Sequence, residues 1–305
     1  MKISILKVAL IAILLLFTFT QSRRVKKIKK AKTPVSFYNG KDQAFNTNQN
    51  WMKKIPDATL VSKISIPGTH DSATKDFSGH AQCQVLSIAN QLTIGVRYFD
   101  LRFGTSYLTF NKDQNAEHGK FHSKYSLKQI FTEIKTFLSQ NPTEGVIAKL
   151  VVKTEKVKEE ALSEFNDIIL YQTAVPTMQQ LRGKVWILLK LKNKHDASDT
   201  LNYTAIAKKY VQAAYKDCPN KKTNSLNHAK QAAAFLSSND TKSNLFINQI
   251  SCSPIATSVT NLFKTPIDAA KKNNDVIFEF PSGFIGIVVM DYISTDDTQF
   301  IISRN

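Results

Sequence analysis

The stretch SLKQIFTEIKTFLSQNPTEGVIAKLVV, residues 126–152, decides the fold. Its first half puts Leu127, Ile130, Phe131, Ile134, Phe137 and Leu138 on one face at helical spacing, and Asn141-Pro142 stops that helix. Its second half, Val146 to Val152, is a nearly continuous apolar run, as a strand buried on both faces would be. Similar β-branched or apolar runs recur at Val61 to Ile66, Gly95 to Phe103, Val185 to Leu189, Leu245 to Ile250, Val276 to Phe280 and Ile285 to Met290. Strand and helix therefore alternate around a mostly parallel sheet. At 305 residues a TIM-like β/α barrel is expected ahead of a doubly wound open sheet. The barrel is expected to be a single domain over 51–305, after a polar and basic lead-in over 23–50.

The first segment reads as an address. A short charged start, an apolar run from Val8 to Phe19 and then Thr20-Gln21-Ser22 match a secretory signal peptide over 1–22. The run is short for a membrane span, which needs roughly 20 apolar residues. An uncleaved anchor is the competing reading, because seven basic residues follow directly. Cleavage near Ser22 and a secreted chain in peripheral contact with a membrane are expected.

Lys and Arg number 41 against 24 Asp and Glu, a formal charge of +17. That excess alone would suggest nucleic acid or an anionic surface. Nine of the basic residues lie in 1–32 with no acid among them, so the rest carries only +8. No base-stacking motif accompanies the cluster, and no nucleic-acid partner is expected. Cys83, Cys218 and Cys252 allow at most one disulfide and lack the paired clusters of a zinc site.

In a β/α barrel, reactive groups come from the C-terminal ends of the strands. Four such ends carry polar residues. Ile64-Ser65-Ile66 runs into Pro67-Gly68-Thr69-His70-Asp71-Ser72, and a second strand ends Phe99-Asp100-Leu101-Arg102, where period-two alternation puts Asp100 and Arg102 on one face, opposite Arg97. Glu117-His118-Gly119 precedes the helix, and the last strand delivers Asp291 and Tyr292. Each of these residues could be structural: a loop histidine, an ion pair, a turn cap. Together, two imidazoles, a guanidinium and orienting carboxylates suit general acid–base attack on a phosphodiester.

These residues carry a resemblance. Trp51-Met52, Ile55-Pro56-Asp57, Ile64 through Ser72, Gln91-Leu92, Gly95-Val96-Arg97 and Phe99 through Arg102 stand in the order found in bacterial-type phosphatidylinositol-specific phospholipase C, the X-domain phosphodiesterases. His118-Gly119, Phe137-Leu138, Asn141-Pro142-Thr143-Glu144, Leu181-Arg182-Gly183-Lys184 and Val288 through Tyr292 continue it. The resemblance implies a distorted β/α barrel that cleaves the glycerol-side phosphodiester of phosphatidylinositol or a glycosylphosphatidylinositol at a membrane surface. Diacylglycerol and a cyclic inositol phosphate would be the products. It implies His70 as general base, His118 as general acid, Arg102 as phosphate clamp, Asp291 orienting His70 and Asp71 assisting His118, with Asp100 beside Arg102. The fixed distance from the His-Gly pair to Ser126-Leu127 favours His118 over His122 as the acid. A monomer without cofactor or metal is expected, since the strand Val146 to Lys153 offers lysines where calcium-using relatives carry carboxylates.

Departures from the family bear on substrate binding. The family's inositol-binding basic residue falls at Val151, with Lys149 and Lys153 on the same face as alternatives. Lys190 stands where the family has an arginine, and Tyr203 is the candidate aromatic wall for the inositol ring. Only Phe77 and Phe263 remain as candidates for membrane insertion. A catalytically weak or inactive lipid-binding barrel is the rival reading. A glycerophosphodiester phosphodiesterase would call for a His-Arg-Gly start and clustered metal-binding carboxylates, and neither is found.

Overall fold

A computed structural model of the chain describes residues 38–44, 48–104, 115–152, 162–191, 203, 206, 209–213, 218–252 and 265–305. Eight strands form one curled parallel sheet. In chain order they are β1 (Ile66–Thr69), β2 (Tyr98–Gly104), β5 (Val146–Val152), β6 (Ile169–Leu170), β7 (Val185–Leu191), β8 (Tyr210–Gln212), β9 (Phe246–Gln249) and β10 (Ile287–Met290). Their spatial order is β6-β7-β5-β2-β1-β10-β9-β8. Among the described residues β6 and β8 do not pair with each other, so the barrel is distorted. An antiparallel hairpin of β3 (Asn115–His118) and β4 (Phe121–Ser126) hangs from the end of β2.

Period-two alternation sorts the strands onto two cores. Phe99, Leu101, Phe103, Val146, Ala148, Leu150, Val152, Val185, Ile187, Leu189, Val288 and Met290 face the helices, and the helix Leu127–Gln140 lays Ile130, Phe131, Ile134 and Phe137 against them. Ser126 caps that helix, and the Gln129 side chain reaches back to close a capping box. The opposite face carries Ile66, Tyr98, Ile147, Trp186, Leu188, Ile247, Ile287 and Val289 as a second, interior cluster. A one-residue slip in any strand would exchange the two sets, so burial on both faces sets the register.

At the N-terminal face, Arg97 is fully buried against Glu144 at 2.8 Å, and its guanidinium also donates to the carbonyls of Leu92, Val96, Asn48 and Gln49. Every donor of the fork is used, which is what makes a buried charge tolerable; removing one partner of such a pair costs about 3–5 kcal/mol.

Two expected strands differ. Val276 to Glu279 lies in a 3₁₀ helix, Asn274–Glu279, and Phe280 is its C-cap. Its buried residues, Val276, Ile277 and Phe280, recur at helical spacing, while Asp275 and Glu279 are exposed. Val61 to Lys63 is also a 3₁₀ turn, and the strand starts only at Ile66. There Gly68 is required, because a Cβ would meet the Tyr98 ring at 2.9 Å. Cys218 and Cys252 form the one disulfide and Cys83 stays reduced and buried. Among the described residues no helix is long and apolar enough to cross a membrane. Val8 to Phe19 and Phe263 lie outside the described residues.

Candidate active site

Extending the strand registers upward builds the site in layers. Gly68, Tyr98, Ile147, Trp186 and Val289 are paired neighbours across five strands and close the interior floor. Two residues further along each strand come His70, Asp100, Lys149, Leu188 and Asp291. Above them stand Arg102, Val151 and Lys190, again register partners. Alternation within each strand therefore turns an apolar layer into a charged one at the C-terminal end of the barrel.

The charged layer is continuous. His70 Nδ1 lies 2.8 Å from Asp291 Oδ1, and His70 Nε2 lies 3.1 Å from Asp71 Oδ2. The same Asp71 oxygen is 3.4 Å from His118 Nε2. Asp71 Oδ1 forms an ion pair with Arg102, 2.6 Å from its Nε, and Arg102 Nη2 donates to Asp100 Oδ2 at 2.8 Å. Lys149 Nζ closes the ladder, 3.2 Å from Asp100 Oδ1. The two imidazole centroids are 6.5 Å apart with planes at 85°. His118 reaches this cluster because Gly119, with φ +61°, opens the two-residue turn of the hairpin, in which His118 pairs with Phe121. His118 Nδ1 is bound to the Ala81 carbonyl at 2.9 Å, which aims Nε2 at Asp71. His122 stands one step along the hairpin opposite Glu117.

Burial grades the groups. His70, Asp71, Asp100 and Asp291 are each 2% exposed, whereas the Arg102 and His118 side chains are 26% and 28% exposed. Burial, reinforced by the positive charges of Arg102 and Lys149, pushes the His70 imidazole well below its ordinary range, so it rests neutral and able to take a proton. Burial and the Asp71 charge push the Asp291 carboxyl up. Burial opposes ionisation of Asp100, but Arg102 and Lys149 outweigh it and hold that carboxyl far below the usual range. Burial lowers Lys149 despite Asp100. Burial also raises the Tyr203 phenol to about 12, with Asp100 adding to it.

All of the expected acid–base residues and the guanidinium thus meet at one point. The substrate-binding candidates divide. Lys149 is buried, anchored to Asp100, with the Tyr203 ring centroid 4.8 Å from its Nζ. Lys190 is exposed at the rim. Lys153 lies outside the described residues. Sequence reasoning overlooked Ala81, Cys83 and Gln84, which sit against the cluster through backbone carbonyls, a thiol 4.0 Å from Asp71 Oδ2 and a side-chain amide. Nothing in the pattern Gln82-Cys83-Gln84 signals this.

Among the described residues, three trios could bring donor atoms within 4.8 Å of one another for a metal ion: His70, Cys83 and Asp291; Asp71, Cys83 and His118; and His70, Asp71 and Asp100. Each uses groups already engaged in the ladder, and an ion on Asp71 would stand beside the Arg102 guanidinium.

Residues 59–195 match the PI-PLC X family, the X domain of phosphatidylinositol-specific phospholipase C. The match covers 137 of the chain's 305 residues, and over that region the chain is similar to this family. It is 29% identical over 297 residues to a 1-phosphatidylinositol phosphodiesterase of Listeria monocytogenes, covering 85% of this chain and 86% of the relative. The solved phosphatidylinositol-specific phospholipase C of Listeria monocytogenes superposes with a TM-score of 0.64 at 24% identity, covering 85% of this chain and 99% of that one. A mutant of the Staphylococcus aureus enzyme gives 0.69 at 20% identity, covering 85% and 97%. The chain therefore shares the α/β barrel of those proteins through nearly all of their length.

Proposed function

We propose that this chain is a phosphatidylinositol-specific phospholipase C that cleaves the glycerol-side phosphodiester in one intramolecular step. The observation that carries the reading is the pair of imidazoles facing each other across Asp71, one buried and one at the mouth, with Arg102 beside them. His70 Nε2 takes the proton of the inositol 2-hydroxyl, whose oxygen forms the new bond to phosphorus. The bond from phosphorus to the glycerol oxygen breaks, and His118 Nε2 delivers a proton to that oxygen. Diacylglycerol and a cyclic inositol phosphate leave. Arg102 holds the phosphoryl oxygens as their charge grows, Asp291 stabilises the His70 imidazolium, and Asp71 keeps His118 and Arg102 in place.

The gradient of burial suits a substrate anchored in a membrane. The inositol ring enters toward the buried base, and the leaving glycerol, still attached to its acyl chains, stays at the mouth beside the half-exposed acid. Lys190, exposed at the rim, is the cation assigned to the inositol hydroxyls in this reading, with the Tyr203 ring as the wall for the inositol ring. Free phosphatidylinositol and a glycosylphosphatidylinositol share this chemistry. The reading includes a secreted monomer, working without metal at a membrane surface. The test is incubation of the purified chain with vesicles of labelled phosphatidylinositol. Cyclic inositol phosphate supports the proposal, and binding without turnover identifies an inactive lipid-binding barrel instead.

A further inference from the structure

The described residues include two non-glycine positions with positive φ, Asp71 at +41° and Tyr292 at +51°. They follow the ends of the neighbouring strands β1 and β10, and Asp71 and Asp291 are the carboxylates on either side of His70. Such backbone costs about 1–3 kcal/mol and persists only where surrounding contacts enforce it. One short segment, Ala81–Gln84, supplies those contacts. The Cys83 carbonyl accepts from the Tyr292 N–H at 2.8 Å, and the Gln82 carbonyl accepts from the Tyr292 hydroxyl at 3.0 Å. The Ala81 carbonyl holds His118 Nδ1.

Two side chains outside the acid–base set tie the segment down. Gln84, 1% exposed, donates both from its Nε2 to the His70 carbonyl at 3.1 Å and to the Met290 carbonyl at 2.8 Å, spanning the ends of β1 and β10. Thr74, 2% exposed, donates from Oγ1 to the Asp71 carbonyl at 2.8 Å and accepts from the N–H groups of Cys83 and Gln84 at 3.0 and 3.2 Å. We propose that Thr74 and Gln84 are positioning residues for the phosphodiester cleavage: they fix the Ala81–Gln84 strap, which aims His118 and holds the backbone turns that present Asp71 and Asp291. Neither touches substrate. The proposal rests on the functional reading above, because its main readout is turnover. A strap linking base, acid and both carboxylates converts a displacement of a few tenths of an ångström at Thr74 into misalignment of both proton-transfer groups, and a misplacement of 1 Å can cost about 10²-fold.

The test compares Thr74→Val, Thr74→Ser and Gln84→Met. Thr74→Val keeps the volume and removes the hydroxyl, Thr74→Ser restores it, and Gln84→Met removes both amide donors. Expected results are a loss of about 10-fold or more in kcat for the Val and Met variants, with KM nearly unchanged, near-wild-type turnover for Thr74→Ser, and a shifted His118 Nδ1 resonance in the ¹⁵N spectrum of the two impaired variants. Unchanged kcat in Gln84→Met, or equal losses in Thr74→Val and Thr74→Ser with the His118 resonance unmoved, would overturn the proposal. Should Thr74→Val fail to fold, Gln84→Met and Thr74→Ser still decide it. A wild-type chain that turns over no phosphatidylinositol defeats the functional reading, while the His118 resonance still reports on the strap.

Discussion

His70 and Asp71 are consecutive in the chain, yet Asp71 Oδ2 lies 3.1 Å from His70 Nε2. Consecutive residues of a strand point to opposite faces. Asp71 escapes that rule because β1 ends at Thr69 and the Asp71 backbone turns into the left-handed region, bringing its carboxylate back over the imidazole. From there it also reaches His118 and Arg102, so a single side chain links base, acid and clamp.

Replacing His118 with Ala should leave the fold intact and reduce turnover about 10²- to 10⁴-fold, the usual contribution of a general acid. The same loss is expected for His70→Ala. His122→Ala should stay near wild type, since His118 is the imidazole that reaches Asp71. Steady-state kinetics on phosphatidylinositol vesicles checks the assignment, and a reversed order between His118 and His122 would refute it.

The pH dependence follows from His70. A general base works in its neutral form, so kcat/KM rises with pH through the histidine's pKa. Burial, then the Arg102 charge, displaces that pKa well below 6.5. The acid limb of the profile should therefore lie below pH 6.5. In Arg102→Met the limb should move up toward 6.5 while the rate falls. Arg102→Lys should also be severely impaired, because an ammonium cannot span Asp71 and Asp100 while presenting a planar fork to phosphate.

Turnover should survive excess chelator and gain nothing from calcium, because Arg102 and Lys149 already supply positive charge beside Asp71 and Asp100. Assays with chelator, with and without added calcium, decide this. Activity lost to chelator and restored by calcium would place the chain in the calcium-dependent branch.

Reducing the Cys218–Cys252 disulfide, which closes a 34-residue separation, should lower the melting temperature by several degrees, consistent with a loss on the order of 3–4 kcal/mol. Burial, with the nearby charges of Asp291 and Asp71, pushes the Cys83 thiol well up, so it should resist alkylation in the native chain. Mass spectrometry should find no labelled thiol under native non-reducing conditions and one after denaturation.

N-terminal sequencing of protein from native cells should begin close to Arg23. An intact Met1 on a membrane-embedded product would favour the anchor reading.

Much of the site was legible in one dimension because strands alternate with period two whatever they pack against. That alone put Asp100 with Arg102, Lys149 with Val151, and Asp291 on the face of Ile287 and Val289. The helix after Ser126 and the strand after Glu144 were equally local, set by spacing, a cap and a proline. Other features depend on which segments meet. Lys149 stands beside Asp100 because β2 and β5 pair in the register that buries both their faces, and this makes it a partner of the Arg102 ladder, although its residue type suggested a hand for inositol. Gln84 and Ala81 enter the site only because the turn after β1 folds back over the end of β10, more than 200 residues away in sequence. Val276 to Phe280 has strand composition but winds as a 3₁₀ turn that ends at Glu279, because its apolar residues match the helical spacing of the surface it covers. Alternation, capping and helix termination are local properties of the backbone. Register, long-range hydrogen bonds and disulfide pairing follow from packing two cores at once, and a linear pattern carries no term for that.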